Sequence, residues 1–150
     1  MEKFLDLAEI DHSLTNKKHE LEEIFETKIE KIVVSILSEE DFYKLAQPEW
    51  TVGFAYPQKN IIFIIEQKNS GRSYDEWLKL IVHEMVHLFY FKKFKCSEPV
   101  WFFEGIACYL SGQKKQSKNI KLKDLIKYFS DHDKDIYPIA YSIMEKILSD

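Results

Sequence analysis

The run Leu80-Ile81-Val82-His83-Glu84-Met85-Val86-His87-Leu88-Phe89 constrains this chain more than any other stretch. Its length and apolar content predict a buried helix, yet it carries two imidazoles and a carboxylate. In an α-helix, residues four apart lie about 6 Å apart along the axis and about 40° apart around it. His83 and His87 therefore project from one face, close enough to bind one Zn²⁺ at about 2.0–2.1 Å. Glu84 lies on the flank of that face, where it reaches a water rather than the metal. Such groups are costly to bury unless they are paired or coordinated. A five-residue pattern also arises by chance, with the histidines as ordinary core or surface residues.

A second stretch, Trp101-Phe102-Phe103-Glu104-Gly105-Ile106-Ala107-Cys108-Tyr109, supplies what the first lacks. Zinc held by two histidines needs a third protein ligand, and a catalytic site leaves the fourth position to water. Glu104 follows His87 at a distance that lets the first helix finish, a loop pass through Lys92–Ser97, and a second helix run back across the first. Ser97 is the expected cap of that helix, and Pro99 suits its first turn. Gly105 and Ala107 are small enough to let the helix approach closely while Glu104 points at the metal. The apolar neighbours of Glu104 argue against an ordinary solvated carboxylate. Cys108, one turn further on, reads as a small buried hydrophobe.

The surroundings predict an α+β domain. Residues 1–30 read as a helical N-terminal extension, with an apolar stripe through Leu21, Ile24, Phe25 and Ile29. His12 and His19 in this segment read as surface residues. Lys31–Leu37 is a β-branched run expected as a strand covered on both faces. Ser38 caps a short helix reaching about Ala46, and Gln47-Pro48-Glu49 ends it. Thr51 to Tyr56 contains Gly53 and fits a short edge strand. Pro57–Asn60 is a turn, and Ile61–Ile65 a second buried strand. Ser73 with Glu76 forms a capping box at the start of the histidine helix. Gly112 closes the Glu104 helix. Lys121–Ser130 is expected as a helix with Leu122, Leu125, Ile126 and Phe129 inward, and Asp135–Leu148 as the last helix. His132, in the polar turn Asp131-His132-Asp133, is a minor alternative to Glu104 as third ligand.

A chain of 150 residues is one domain able to bury about two-thirds of its unfolded surface. A net charge of −4 points away from nucleic acid. No apolar run reaches membrane-spanning length, because the longest contains His83, Glu84 and His87. Two cysteines, Cys96 and Cys108, do not make a disulfide framework. The N-terminus lacks an export signal, so the default setting is cytoplasmic.

His83-Glu84-x-x-His87 followed by Trp101-x-x-Glu104-Gly105-x-Ala107 resembles the gluzincin metallopeptidases. The likeness is to the peptidase MA-like domains, the minigluzincins and the catalytic domain of aminopeptidase N-type enzymes. It spans about residues 31–148 and is specific at the two metal motifs. Gly53-Phe54-Ala55-Tyr56 and Asn60–Ile64 are similar to the family's edge strand and the apolar strand after it. The resemblance implies a small mixed β-sheet of about three strands packed on the His-Glu-x-x-His helix, with a glutamate helix and further C-terminal helices. It implies a catalytic core at 31–148, one zinc per chain on His83, His87 and Glu104, and Glu84 as general base. A tyrosine hydroxyl is the family's usual oxyanion donor, and Tyr137, in Tyr137-x-x-Ala140, matches it best, with Tyr141 next. The shorter gap between His87 and Glu104 departs from the aminopeptidase branch, so exopeptidase activity is not implied.

The expected function is zinc-dependent hydrolysis of peptides or unfolded protein, with substrate extended along the Thr51–Tyr56 edge. A self-inhibited or catalytically silent zinc-binding regulator of the same fold is the alternative. A metal-free structural domain is the third.

Overall fold

The computed structural model describes residues 3–45, 51–113, 115, 126–132 and 136–148. Its described residues form seven helices and one four-stranded mixed sheet. In chain order these are β1 (Lys3–Asp6), α1 (Leu7–Ile10), α2 (His12–Phe25), β2 (Val33–Leu37), α3 (Glu39–Leu45), β3 (Gly53–Tyr56) and β4 (Ile61–Ile65). They continue with α4 (Gln67–Ser70), α5 (Tyr74–Phe94), α6 (Val100–Ser111) and α7 (Ile136–Leu148). No helix among the described residues is long and apolar enough to cross a membrane. The expectations for Leu122, Leu125 and the Gln47-Pro48-Glu49 break lie outside the described residues.

The sheet runs β1-β2-β4-β3, with β2 and β4 parallel and the two outer strands antiparallel to their neighbours. The β-branched runs occupy the centre, as their apolar content requires: Val34, Ile62 and Ile64 are fully buried. Residues 1–30 are not all helical, and the sheet has one strand more than expected. Lys3–Asp6 pairs with Val33–Ile36 as an outer strand. Four residues are too few to show a period, and their hydrogen-bond partners lie far along the chain. Helix α2 ends at Phe25, where Glu26 takes a left-handed conformation, so Ile29 is buried from a loop rather than from a helical stripe.

Helix α5 is the central rod. Ser73 Oγ accepts from the Glu76 N–H at 3.2 Å, and Asp75 and Glu76 occupy the positive first turn. Lys92 and Lys93 occupy the last turn, beside the orphan carbonyls. The helix is apolar nearly all round because it is buried on several sides. Strands β3 and β4 lie along one side, α6 crosses another, and α2 covers a third through Leu14, Leu21 and Phe25. Phe25 stacks on Phe89 with ring centroids 6.0 Å apart, and Trp77 Nε1 donates to the Ile65 carbonyl at 2.8 Å. The N-terminal helix is thus a buttress of the histidine helix. On the opposite face of the sheet, α3 packs Phe42 against Leu37 and Ile65, with Ser38 Oγ capping its first turn as expected.

Helix α6 starts at Val100 without the expected Ser97 cap. Backbone carbonyls replace it: Val100 N–H donates to Phe129 O at 2.8 Å and Trp101 N–H to Tyr128 O at 3.1 Å. This docking turns Tyr128 inward at 2% exposure, whereas Ile126 and Phe129, expected on the inner face, are 70% and 53% exposed. Gly105 is small for a different neighbour than expected. It faces α7, where a Cβ would lie 2.6 Å from Met144 Cγ and 2.7 Å from Ala140 O. Ala107, by contrast, joins the core around α5. Gly112, at φ +80, closes α6 as its position predicts.

Candidate metal centre

Helices α5 and α6 bring His83, His87 and Glu104 to one point. The three are nearly sealed from solvent, at 6%, 6% and 4% exposure. His83 Nε2 lies 3.1 Å and His87 Nε2 2.9 Å from Glu104 Oε1. Tetrahedral ligands at about 2.0–2.2 Å from a zinc ion stand about 3.3–3.6 Å from one another. The observed separations need only a few tenths of an ångström of spreading to match. This buried group can hold a metal ion.

The ring orientations fit that purpose. The His83 Nδ1–H donates to Gln113 Oε1 at 2.7 Å, which turns Nε2 toward Glu104. Ser111 Oγ donates to the same Gln113 oxygen at 3.1 Å. Gln113 follows the αL residue Gly112, so the helix stop is what delivers it. His87 is oriented by stacking instead: its ring lies on Phe103 with centroids 3.8 Å apart and planes 10° from parallel. Its buried Nδ1 has no hydrogen-bond partner among the described residues. Cys108 is fully buried with its sulfur 3.8 Å from His83 Nδ1, so it lies behind the His83 ring.

His132 also belongs to this centre. Its Nε2 lies 2.5 Å from Glu104 Oε2, so the carboxylate is shared, one oxygen toward the helix histidines and the other toward His132. It does not replace Glu104 in the group that converges. No sequence pattern marks His132; only the packing of its turn beside the start of α6 reveals it.

The charges explain one another. Burial raises the Glu104 carboxyl, but His87 and the hydrogen bonds from His132, His83 and His87 outweigh it and hold the group well below the usual carboxylate range. Burial lowers the His83 imidazole, but Cys108, Glu104 and Glu84 outweigh it and hold the ring well above its usual range. His132 is raised chiefly by its bond to Glu104. The raised His83 and His132 imidazoles and the lowered Glu104 carboxyl thus favour each other's charged forms.

Glu84 stands at the mouth of the site. It is half-buried, and burial raises its carboxyl despite the opposing pull of His83 and His87. Strand β3 passes directly over it: a Cβ on Gly53 would lie 3.7 Å from Glu84 Cγ. Two adjoining hollows of about 280 and 240 Å³ share Thr51, Gly53, His83, Glu84 and Tyr137 as lining, so the cleft runs along β3 past Glu84. The Tyr137 ring lies 6.2 Å from that of His83, and its hydroxyl 3.4 Å from His132 Nε2. Burial, then Glu104 and Glu84, push that hydroxyl far above its ordinary range, so it remains a proton donor. Tyr141 lines neither hollow. His19 is on the surface beside Glu22, as expected.

No family model, curated protein or solved structure matches the chain.

Proposed function

We propose that this protein is a zinc-dependent peptidase of gluzincin type, with the metal on His83, His87 and Glu104. The observation that carries the proposal is the convergence of those three buried groups beside Glu84, in a cleft that runs along β3, an outer strand of the sheet among the described residues. The donor set of two imidazoles and one carboxylate suits zinc with an open position. When bound, zinc polarises a carbonyl and makes water acidic near neutral pH.

The chain's own residues do the rest. The ladder between β3 and β4 pairs Val52 with Ile65, whose N–H donates to the Val52 carbonyl at 3.1 Å. The alternation of an antiparallel ladder then leaves the N–H and C=O of Gly53 and Ala55 facing outward, ready to pair with an extended peptide. Glu84 takes a proton from water at its carboxylate and returns it to the departing amine; a raised carboxyl value brings the base nearer the operating pH. Tyr137 donates its O–H to the carbonyl oxygen as negative charge develops there.

The test is metal analysis and turnover on one preparation. Purified protein should carry about one zinc per chain and cleave an unstructured protein at neutral pH. Glu84→Gln should keep the zinc and lose at least about a hundredfold in rate. Zinc retained with no hydrolysis by the wild type would instead support a silent zinc-binding regulator, and absence of any bound metal would sink the site.

A further inference from the structure

The two ends of the cleft are chemically unlike. Toward Val52, before the start of β3, the larger hollow carries Arg72 and Lys115, and among the described residues its one carboxylate is Glu84. Toward the other end Phe54, Pro57 and Phe103 wall the hollow beside the His83, His87, Glu104 and His132 group, with no lysine or arginine among the described residues. In a chain with 25 acidic and 21 basic residues, two cations at one end of the cleft need a reason.

Arg72 is positioned from behind. Its main-chain N–H and one guanidinium N–H donate to Ser70 Oγ and O at 3.2 and 3.1 Å, and Gln67 Nε2 donates to its carbonyl at 2.8 Å. Two of those bonds involve the main chain and one uses a single guanidinium N–H, so most guanidinium donors are left for a ligand. Lys115 Nζ stands 5.8 Å from the centre of the Tyr137 ring, on the cleft side. Among the described residues neither cation has an ion-pair partner.

Strand direction says which part of a peptide meets them. Antiparallel pairing is slightly stronger than parallel pairing, so a peptide adding to the free edge runs opposite to β3. Its N-terminal part then lies over Phe54 and Pro57, and its C-terminal part beside Thr51, Arg72 and Lys115. We infer that Arg72 and Lys115 form a carboxylate-recognition subsite for the part of a peptide that follows the reacting bond. The carboxylate is a free C-terminus or an acidic side chain; both present the same planar anion to a guanidinium fork. The inference rests on the peptidase reading for the word reacting, but not for binding.

Binding is read without turnover in the zinc-loaded Glu84→Gln protein, by fluorescence anisotropy with three labelled hexapeptides. One is uncharged with a free C-terminus, one is its C-terminal amide, and one is the amide with an Asp in its C-terminal half. At least one carboxylate form should bind about tenfold tighter than the plain amide, and whichever does so identifies the source. Arg72→Gln with Lys115→Gln should abolish the preference without changing zinc content. Equal binding of all three, no measurable binding of either carboxylate form, or a preference that survives the double substitution overturns the subsite. Cleavage by the wild type is followed separately by mass spectrometry. A carboxylate preference without cleavage leaves the subsite standing and removes the peptidase reading, whereas cleavage without preference does the reverse.

Discussion

Glu104 Oε2 is bonded to His132 Nε2 while Glu104 Oε1 faces the two helix histidines, so one carboxylate ties the turn before α7 to the candidate metal centre. A ligand carboxylate held at its far oxygen cannot rotate away, which keeps Oε1 at the vertex between His83 and His87. His132→Ala should weaken zinc binding by about ten- to a hundredfold. Competition against a chromophoric chelator measures it. An unchanged affinity would show that Glu104 needs no such support.

Gln113 does for His83 what His132 does for Glu104. Gln113→Leu keeps the volume and removes the acceptor for Nδ1–H, leaving a buried donor unpaired. Zinc affinity should drop about tenfold or more, while the far-ultraviolet spectrum stays that of the wild type.

Tyr137→Phe should leave zinc content untouched and lower kcat by about a hundredfold, the usual effect of removing one oxyanion donor. Tyr141→Phe should leave kcat unchanged, because Tyr141 lies outside the cleft lining. A reversed order of effects would move the oxyanion role away from Tyr137.

Gly105→Ala tests the seat of α6. The new methyl would meet Ala140 O at 2.7 Å, and a backbone carbonyl in the neighbouring helix cannot swing aside as the Met144 side chain can. Destabilisation of about 1–3 kcal/mol is expected from thermal unfolding. The shift of α6 should also weaken zinc binding, since Glu104 is the adjacent residue.

The pH dependence of the metal-free protein follows from the same cluster. Glu104, with a lowered value, stabilises the fold above the ordinary 4.5, and that contribution is lost as pH falls through its depressed value. His132, with a raised value, stabilises below the ordinary 6.5, and that contribution is lost as pH rises through its elevated value. The melting temperature of the metal-free protein should therefore be highest between about 4.5 and 6.5, and Glu104→Gln should flatten the profile. Zinc affinity should run the other way, falling as pH drops, because protons must leave the imidazoles before a metal enters.

The features legible in the order of residues are local ones. The i, i+4 spacing of His83 and His87 and the Ser73 cap are set within a few residues, because helix geometry repeats every turn whatever surrounds it. Glu104 was legible for a related reason: a charged residue in an apolar helical run of Trp101, Phe102, Phe103 and Ile106 needs a buried partner. The remaining features were set by long-range packing. Lys3–Asp6 became a strand because β2 offered an open edge, and Gln113 and His132 gained their partners from residues distant in sequence. Tyr137 was separated from Tyr141 by which side of α7 faces the cleft. Such placements depend on which surfaces bury one another, and that long-range competition leaves no periodic trace in the order of residues.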